Sequence, residues 1–371
     1  MRPLIDPPNE PLAGWLATRG LPSYRLRQVR RWVFHRRAGS FEEMTDLPAT
    51  MRRELAGAFQ VLSSRVFGRE QAIDGTEKLL VELADGQRVE CVLLRDDRGH
   101  RTACVSTQVG CAMGCVFCAS GLDGLTRNLS ASEIVEQLLH LTMRLPDNER
   151  LTHMVVMGMG EPLANLEALL PALATATDRD GLGIGVRRIT VSTVGLPSGI
   201  RRLASLSSPY QLAISLHAPD DPLRNRLVPA GRTVGLHAIV EAADEYFAQT
   251  GRRVTYEYVL VAGENDQPEH AVCLAQLLQG RPVLVNLIAM NPVPGLRYRG
   301  PGPSVVRQFQ SILEGSGVRV QVRLRKGDCI GAACGQLRRG AAPVFAATGR
   351  ETPSNRPENP ENGTAPVARN A

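Results

Sequence analysis

Three cysteines carry the strongest chemical signal in this sequence. Cys111-Ala112-Met113-Gly114-Cys115-Val116-Phe117-Cys118 places three thiols in one short loop. Soft thiolates select iron–sulfur clusters or zinc. A structural zinc site wants four ligands, normally as two pairs. Here the fourth would have to be Cys104 or a distant histidine. A [4Fe–4S] cubane has four irons, and clusters that only carry electrons usually take four cysteines. Three cysteines leave one iron open to a small molecule.

A second signal is Gly158-Met159-Gly160-Glu161-Pro162, directly after the apolar run HMVVMG. Glycines let the backbone approach a ligand closely, and Glu161 could accept a hydrogen bond from an ammonium group. A plain strand-to-helix turn is the alternative. A third signal is a pair of cysteines outside the loop. Cys104 lies on the strand leading to it, and Cys334 lies in GDCIGAACGQL, residues 327–337. The glycines around Cys334 suit a loop that presents a thiol. A free cysteine is often a small buried hydrophobe; that reading suits Cys273, in the apolar helix HAVCLAQLL.

These residues need a scaffold. TACVSTQ, HMVVMGM, RRITVST, QLAISLH, VTYEYVL, VLVNLIAM and VRVQVRL read as strands. SASEIVEQLLHLTMRL and SVVRQFQSILEG read as helices, with Ser130 or Ser132 capping the first. Apolar strands alternating with amphipathic helices predict an α/β fold with a parallel sheet. In such barrels the chemistry lies at the C-terminal strand ends, where the cysteine loop, Gly160, Glu161, Ser192, Ser215, Leu216 and His217 all fall. Residues 66–348 form this unit. Residues 1–65 read as a small helical accessory domain. Within it Arg25, Arg27, Arg30, Arg31, Arg36 and Arg37 surround Trp32 and Phe34, a face that could meet phosphates. Residues 349–371, rich in Pro, Asn, Glu and Gly, are expected to be disordered.

The chain has 371 residues, 43% hydrophobic but 4% aromatic, so aliphatic side chains must fill the core. A formal charge of +6 favours an anionic partner. No apolar run approaches the roughly 20 residues of a membrane span, and the N-terminus lacks the pattern of an export signal. A cytoplasmic protein whose eight cysteines serve as ligands or catalysts is expected.

CVSTQVGCxxxCxxC, GLTRNLSxxEIVEQ, MGMGEPLAN, RRITVSTVG, LAISLHAPDDxxRNxLVP and AACGQL occur in this order between residues 104 and 337, within a resemblance that runs from about residue 5 to 340. Together they resemble the RlmN adenine methyltransferases of the radical S-adenosylmethionine (SAM) superfamily; the Cfr proteins share much of the pattern. The resemblance implies a partial, six-stranded TIM-like (β/α) barrel with a small helical N-terminal domain. It implies one [4Fe–4S] cluster on Cys111, Cys115 and Cys118. SAM contacts would come from Gly160, Glu161, Ser192, Ser215, Leu216, His217 and Asn291. Two SAM molecules would be used per turnover. The first would methylate Cys334; the second would give the adenosyl radical that activates that methyl. The resulting methylene radical would add to carbon 2 of an adenine, Glu90 would remove the ring proton, and Cys104 would release the product as a disulfide with Cys334.

Implied partners are 23S rRNA, near the peptidyl-transferase centre, and tRNA, beside the anticodon. An external electron donor such as flavodoxin and a monomeric state are also implied. The Cfr-like alternative is methylation at carbon 8. Other classes are a radical SAM enzyme for a small molecule or peptide, and a non-enzymatic zinc-bearing RNA-binding protein. The chain departs from the family pattern at Cys91, Cys329 and Ala289. Glu90 lies slightly far from Cys104, leaving Asp96, Asp97 and His100 as rival bases.

Overall fold

The computed structural model describes residues 1–8, 10–206, 210–323 and 326–338; the expected tail at 349–371 lies outside them. The chain opens with a short strand β1 (Arg2–Pro3) and three helices, α1 (Pro11–Thr18), α2 (Tyr24–Phe34) and α3 (Ala49–Ala58). Strand β2 (Phe59–Gln60) then pairs parallel to β1. On α2, Val29, Val33 and Phe34 form the buried stripe, as helical spacing requires. Arg30 is buried with them. It meets Glu10 at 2.7 Å and Asp178 at 2.7 Å, so this cation joins the helices to the following unit. Arg37 donates to the carbonyls of Leu145, Pro146 and Glu149. Arg36 stacks on Trp32, and Arg25 bonds Gln28. The basic face is thus largely structural; among the described residues Arg27 and Arg31 are the exposed members without a side-chain partner.

Next comes an antiparallel meander, β3 (Arg65–Gln71), β4 (Glu77–Glu82) and β5 (Arg88–Arg95). The sequence reading did not anticipate it. Its signals were two Asp-Gly turns, in which Gly75 and Gly86 both take φ 79°.

The main sheet then runs through β6 (Arg101–Cys104), while β7 (Gln108–Gly110) and β8 (Leu125–Asn128) form a separate pair around the cysteine loop. Helix α4 (Ala131–Thr142) is capped by Ser130 with Glu133 completing the capping box. It leads to β9 (His153–Val156), α5 (Leu166–Thr177), β10 (Ile189–Thr193), α6 (Pro197–Ala204) and β11 (Gln211–Ser215). After α7 (Asp221–Leu227) and α8 (Leu236–Thr250) follow β12 (Thr255–Leu260), α9 (Pro268–Leu278), β13 (Leu284–Ala289), α10 (Pro303–Gly315) and β14 (Val320–Val322).

The sheet order is β14-β13-β12-β11-β10-β9-β6-β5-β4-β3, and every pair from β6 to β14 is parallel. All seven strands read from the sequence are present, as β6 and β9 to β14. Strand β14, within VRVQVRL, is one more than the six of the barrel that the resemblance implies, and the meander extends the other side. The edges β14 and β3 do not pair, so the barrel stays open. One apolar cluster runs from Leu4 and Val29 through Ile134 and Val191 to Phe309, joining the N-terminal helices to the sheet. Cys273 is exposed, contrary to the buried reading: the inward stripe of α9 is Ala271, Leu274, Ala275 and Leu278. No helix among the described residues is long and apolar enough to cross a membrane.

Replacing Arg30 removes charge-assisted hydrogen bonds to two half-exposed carboxylates. Arg30→Ala is expected to lower the unfolding free energy by about 1–3 kcal/mol, and Arg31→Ala by less than about 0.5 kcal/mol. Urea titration of both variants checks this.

Candidate active site

The cysteine loop leaves the main sheet after β6 and is held by main-chain bonds from Cys111 N–H to Gly124 O (3.0 Å) and Val116 N–H to Leu227 O (3.0 Å). Phe117 packs edge-on against His217, with ring centroids 4.8 Å apart. Burial raises all three thiols, Cys111 to about 11, and each is raised further by a neighbouring thiol. The buried Arg224 opposes this at Cys115 and donates to Val194 O. Three uncompensated thiolates are unfavourable here, and a bound cationic centre relieves them. Three thiols from one loop would hold three corners of a cubane and leave the fourth open, so the donor set fits a cluster.

The cavity over this loop is lined by the C-terminal ends of successive strands: Gly158, Gly160, Glu161 and Pro162 after β9, Ser192 to Val194 from β10, Ser215 and His217 from β11, and Met290 and Asn291 after β13. The glycines answer to packing. A Cβ on Gly158 would lie 2.6 Å from Val105 O, and one on Gly160 would lie 2.6 Å from Gln108 Cβ. Gly160 also has φ 102°. Glu161 is buried and raised by that burial. Its two oxygens accept N–H bonds from Leu163 and Val194, each at 2.9 Å, which ties the β9 and β10 ends together. Ser192 and Ser215 hydroxyls lie 3.5 Å apart. His217, at φ 62°, accepts from Val259 N–H; burial drops its imidazole to about 3, so it is neutral. The Leu216 side chain is wholly buried and does not line the cavity. Asn291 donates to Cys334 O at 3.0 Å, while its Oδ1 and Glu257 Oε2 are buried acceptors without a protein partner. A ligand rich in N–H and O–H groups, such as SAM, fits these two acceptors.

Cys334 lines this cavity and also a neighbouring one that contains Cys104. Burial pushes the Cys104 thiol up to about 12, with Cys334 adding and Arg323 opposing. Arg323, just past β14, lines both cavities and is itself raised chiefly by Cys334. Sequence reasoning missed Arg323 and Glu257. The available signal was a charged residue in an otherwise apolar strand, VRVQVRL or VTYEYVL.

Glu90 lies on β5. The register pairs Val92 with Cys104, so Glu90 shares the sheet face of Cys104 whereas Cys91 points to the other face. Cys91 is therefore not arranged to bridge Cys104. Cys329 is exposed. Glu90 is buried, lines neither cavity, and lies 3.1 Å from Lys78 Nζ; it accepts Arg338 N–H at 2.8 Å. Burial raises its carboxyl and Lys78 is the strongest opposing influence. Among the rival bases, Asp96 pairs with His100 at 2.8 Å at the β5–β6 turn, and Asp97 is exposed.

A family model described as the ribosomal RNA large subunit methyltransferase N-terminal domain matches residues 3–61, and one described as the radical SAM superfamily matches residues 105–274. A Rhodopirellula baltica protein named probable dual-specificity RNA methyltransferase RlmN is 56% identical over 335 residues, 90% of each chain. The chain belongs to the RlmN family. A Symbiobacterium thermophilum relative of the same name is 47% identical over 339 residues, 91% of each chain. The crystal structure of a radical SAM methyltransferase from Sphaerobacter thermophilus matches with a TM-score of 0.89 at 42% identity, covering 92% of this chain and 100% of that one. As an RlmN-family protein the chain is a radical SAM methyltransferase whose cofactors are a [4Fe–4S] cluster and SAM. The non-enzymatic zinc reading is set aside.

If Glu90 is the base, its deprotonated form is active. Lys78→Met leaves burial less opposed, so the carboxyl rises and the acid limb of the methylation pH profile moves to higher pH. Glu90→Gln is expected to slow turnover by about 10²–10⁴-fold. A pH profile of Lys78→Met identical to wild type would point to another base.

Proposed function

We propose that this chain methylates carbon 2 of an adenosine in RNA, in 23S rRNA near the peptidyl-transferase centre and in tRNA beside the anticodon. The observation that supports this reading is the position of Cys334, on the boundary between the cysteine-loop cavity and the cavity of Cys104. The relatives' names, RlmN and dual-specificity RNA methyltransferase, favour it over the carbon-8 alternative.

Carbon 2 of adenine is electron-poor, so polar methyl transfer to it is unfavourable, whereas a carbon radical can add. The cluster with SAM supplies the radical chemistry when bound. Cys334 contributes a thiolate that takes a methyl group from SAM by displacement and then holds the activated carbon beside its target. Arg323, which lines both cavities, opposes the burial that raises the Cys104 thiol. Glu90 removes the ring proton. Cys104 attacks the Cys334 sulfur and its proton goes to the departing carbon, freeing the methylated base and leaving a Cys104–Cys334 disulfide. The one electron left over from the radical addition would return to the bound cluster, and the disulfide is reduced by an external thiol or donor before the next turnover. An external donor of the flavodoxin type, a monomeric state and a cytoplasmic location complete the proposal.

Cys334→Ala, purified anaerobically with its cluster and given SAM, reductant and an rRNA fragment, is expected to form no methyladenine. Cys104→Ala is expected to retain RNA covalently, as a complex that survives denaturing electrophoresis. Mass spectrometry of wild-type product should give 2-methyladenine. Methylation by Cys334→Ala would show that no methyl is tethered there.

A further inference from the structure

The cavity containing Cys104 and Cys334 leads away from the cysteine loop. It runs down the barrel interior past Met157, Val155 and Thr102 to the N-terminal ends of the strands. Its outer wall holds His153, the first residue of β9, and Arg187 and Arg188, immediately before β10. Arg95, Arg98 and His100 come from the β5–β6 turn, and Lys326 from the segment before Cys334. The volume, about 620 Å³, lies within the roughly 300–1,000 Å³ of pockets that enclose a single small ligand.

The charge of this wall is one-sided. Six cations line the cavity (Arg95, Arg98, Arg187, Arg188, Arg323, Lys326) against one acid, Asp96, which His100 already engages. Arg95 is committed to Glu77 at 2.6 Å, and Lys326 to Arg95 O at 2.6 Å. Among the described residues the exposed Arg187 and Arg188 have no acidic partner within ion-pair distance. Paired arginines left free beside a cavity are matched to phosphate oxygens. Beside them His100 and His153 touch edge to face, ring centroids 4.5 Å apart. Burial lowers the His153 imidazole, with His100 and Arg188 adding, so that ring stays neutral near pH 7. A neutral ring next to free guanidinium groups is a platform on which a base can stack while its phosphates are held.

We infer that the polynucleotide enters through this mouth, at the barrel end opposite the cysteine loop, with Arg187 and Arg188 gripping phosphates next to the extruded adenosine. The inference rests on the RNA-methyltransferase reading and adds the route: SAM from one end, RNA from the other, with Cys104 and Cys334 between. It also moves the main RNA contact from the α2 arginines, which are largely used internally, to the barrel floor. A nucleotide extruded from its stack is the form in which a base inside a fold becomes reachable.

The test is binding of a fluorescein-labelled anticodon stem-loop RNA to cluster-loaded protein, titrated at several salt concentrations. Arg187→Glu/Arg188→Glu is expected to weaken binding roughly tenfold or more. It should also flatten the log–log salt dependence by about 1.4–1.8, the loss of two phosphate contacts. Arg187→Lys/Arg188→Lys should restore most of the affinity, and matching thermal midpoints would show that all variants fold. The control pair Arg226→Glu/Arg232→Glu, exposed beside the cysteine loop on the other end, should bind as wild type does. Unchanged affinity in the Arg187/Arg188 variant, or a loss confined to the Arg226/Arg232 pair, would overturn the route while leaving the RNA reading intact. If wild type itself shows no salt-dependent RNA binding, the RNA reading fails first.

Discussion

Main-chain hydrogen bonds between the Cys334 segment and the cysteine loop are the contact on which the site depends. Neither piece is a strand or a long helix, so neither is held by its own regular ladder. Ala119 N–H donates to Gly335 O at 2.7 Å, and the Ser120 hydroxyl donates to Leu337 O at 2.7 Å. Asn291 holds Cys334 O, and Gln336 holds Pro292 O at 2.8 Å. At the far end Gly327 packs against Thr76 with φ 66°, and its N–H reaches Asp74 at 3.2 Å. The segment is therefore stretched from the meander turn to the cysteine loop, and Cys334 is presented in between. Each of these bonds is individually modest; acting together they replace the secondary structure that the segment lacks.

Buried charge is the second organising feature. Glu90, Glu161, Glu257, Arg224 and Arg323 all lie within or beside the two cavities and are buried or largely so. Burial raises the three carboxyls and lowers Arg224. Desolvation of this kind is tolerated where neighbours compensate: Lys78 for Glu90, two N–H groups for Glu161, Asn286 for one oxygen of Glu257. Perturbed groups collected around one cleft mark it as the working part of the fold. Glu90 joins this charge network to the Cys334 segment through Arg338 N–H, so the proposed base and the proposed methyl carrier share a support.

The parallel strands were legible because their apolar, β-branched runs alternate with amphipathic helices, and the Ser130 cap because its side chain bonds locally to Glu133. The meander was overlooked although its Asp-Gly turns were visible, since its strands mix charge and apolar residues without a clean alternation. Lys78 and Glu90 meet across β4 and β5, and nothing in either stretch alone indicates the pairing. The roles of the α2 arginines were also illegible: Arg30 and Arg37 find partners more than a hundred residues away, at Asp178 and at the carbonyls near Leu145. Cys273 went astray for a simpler reason. An apolar helix sequence does not reveal which of its faces turns inward until the stripe of Ala271, Leu274, Ala275 and Leu278 is compared with its neighbours.

By itself the sequence determined the ligand chemistry and the architecture that serves it. Thiol spacing, the Gly158–Pro162 turn and strand periodicity are local properties, written in residues a few positions apart. Tertiary structure alone decided that Cys334 reaches both cavities and that Cys104 and Glu90 share one sheet face while Cys91 takes the other. It also decided that the unpaired Arg187 and Arg188 stand beside the second cavity, at the N-terminal strand ends. These are long-range outcomes, set by strand register and by where an irregular segment is pinned, and no window of neighbouring residues contains them.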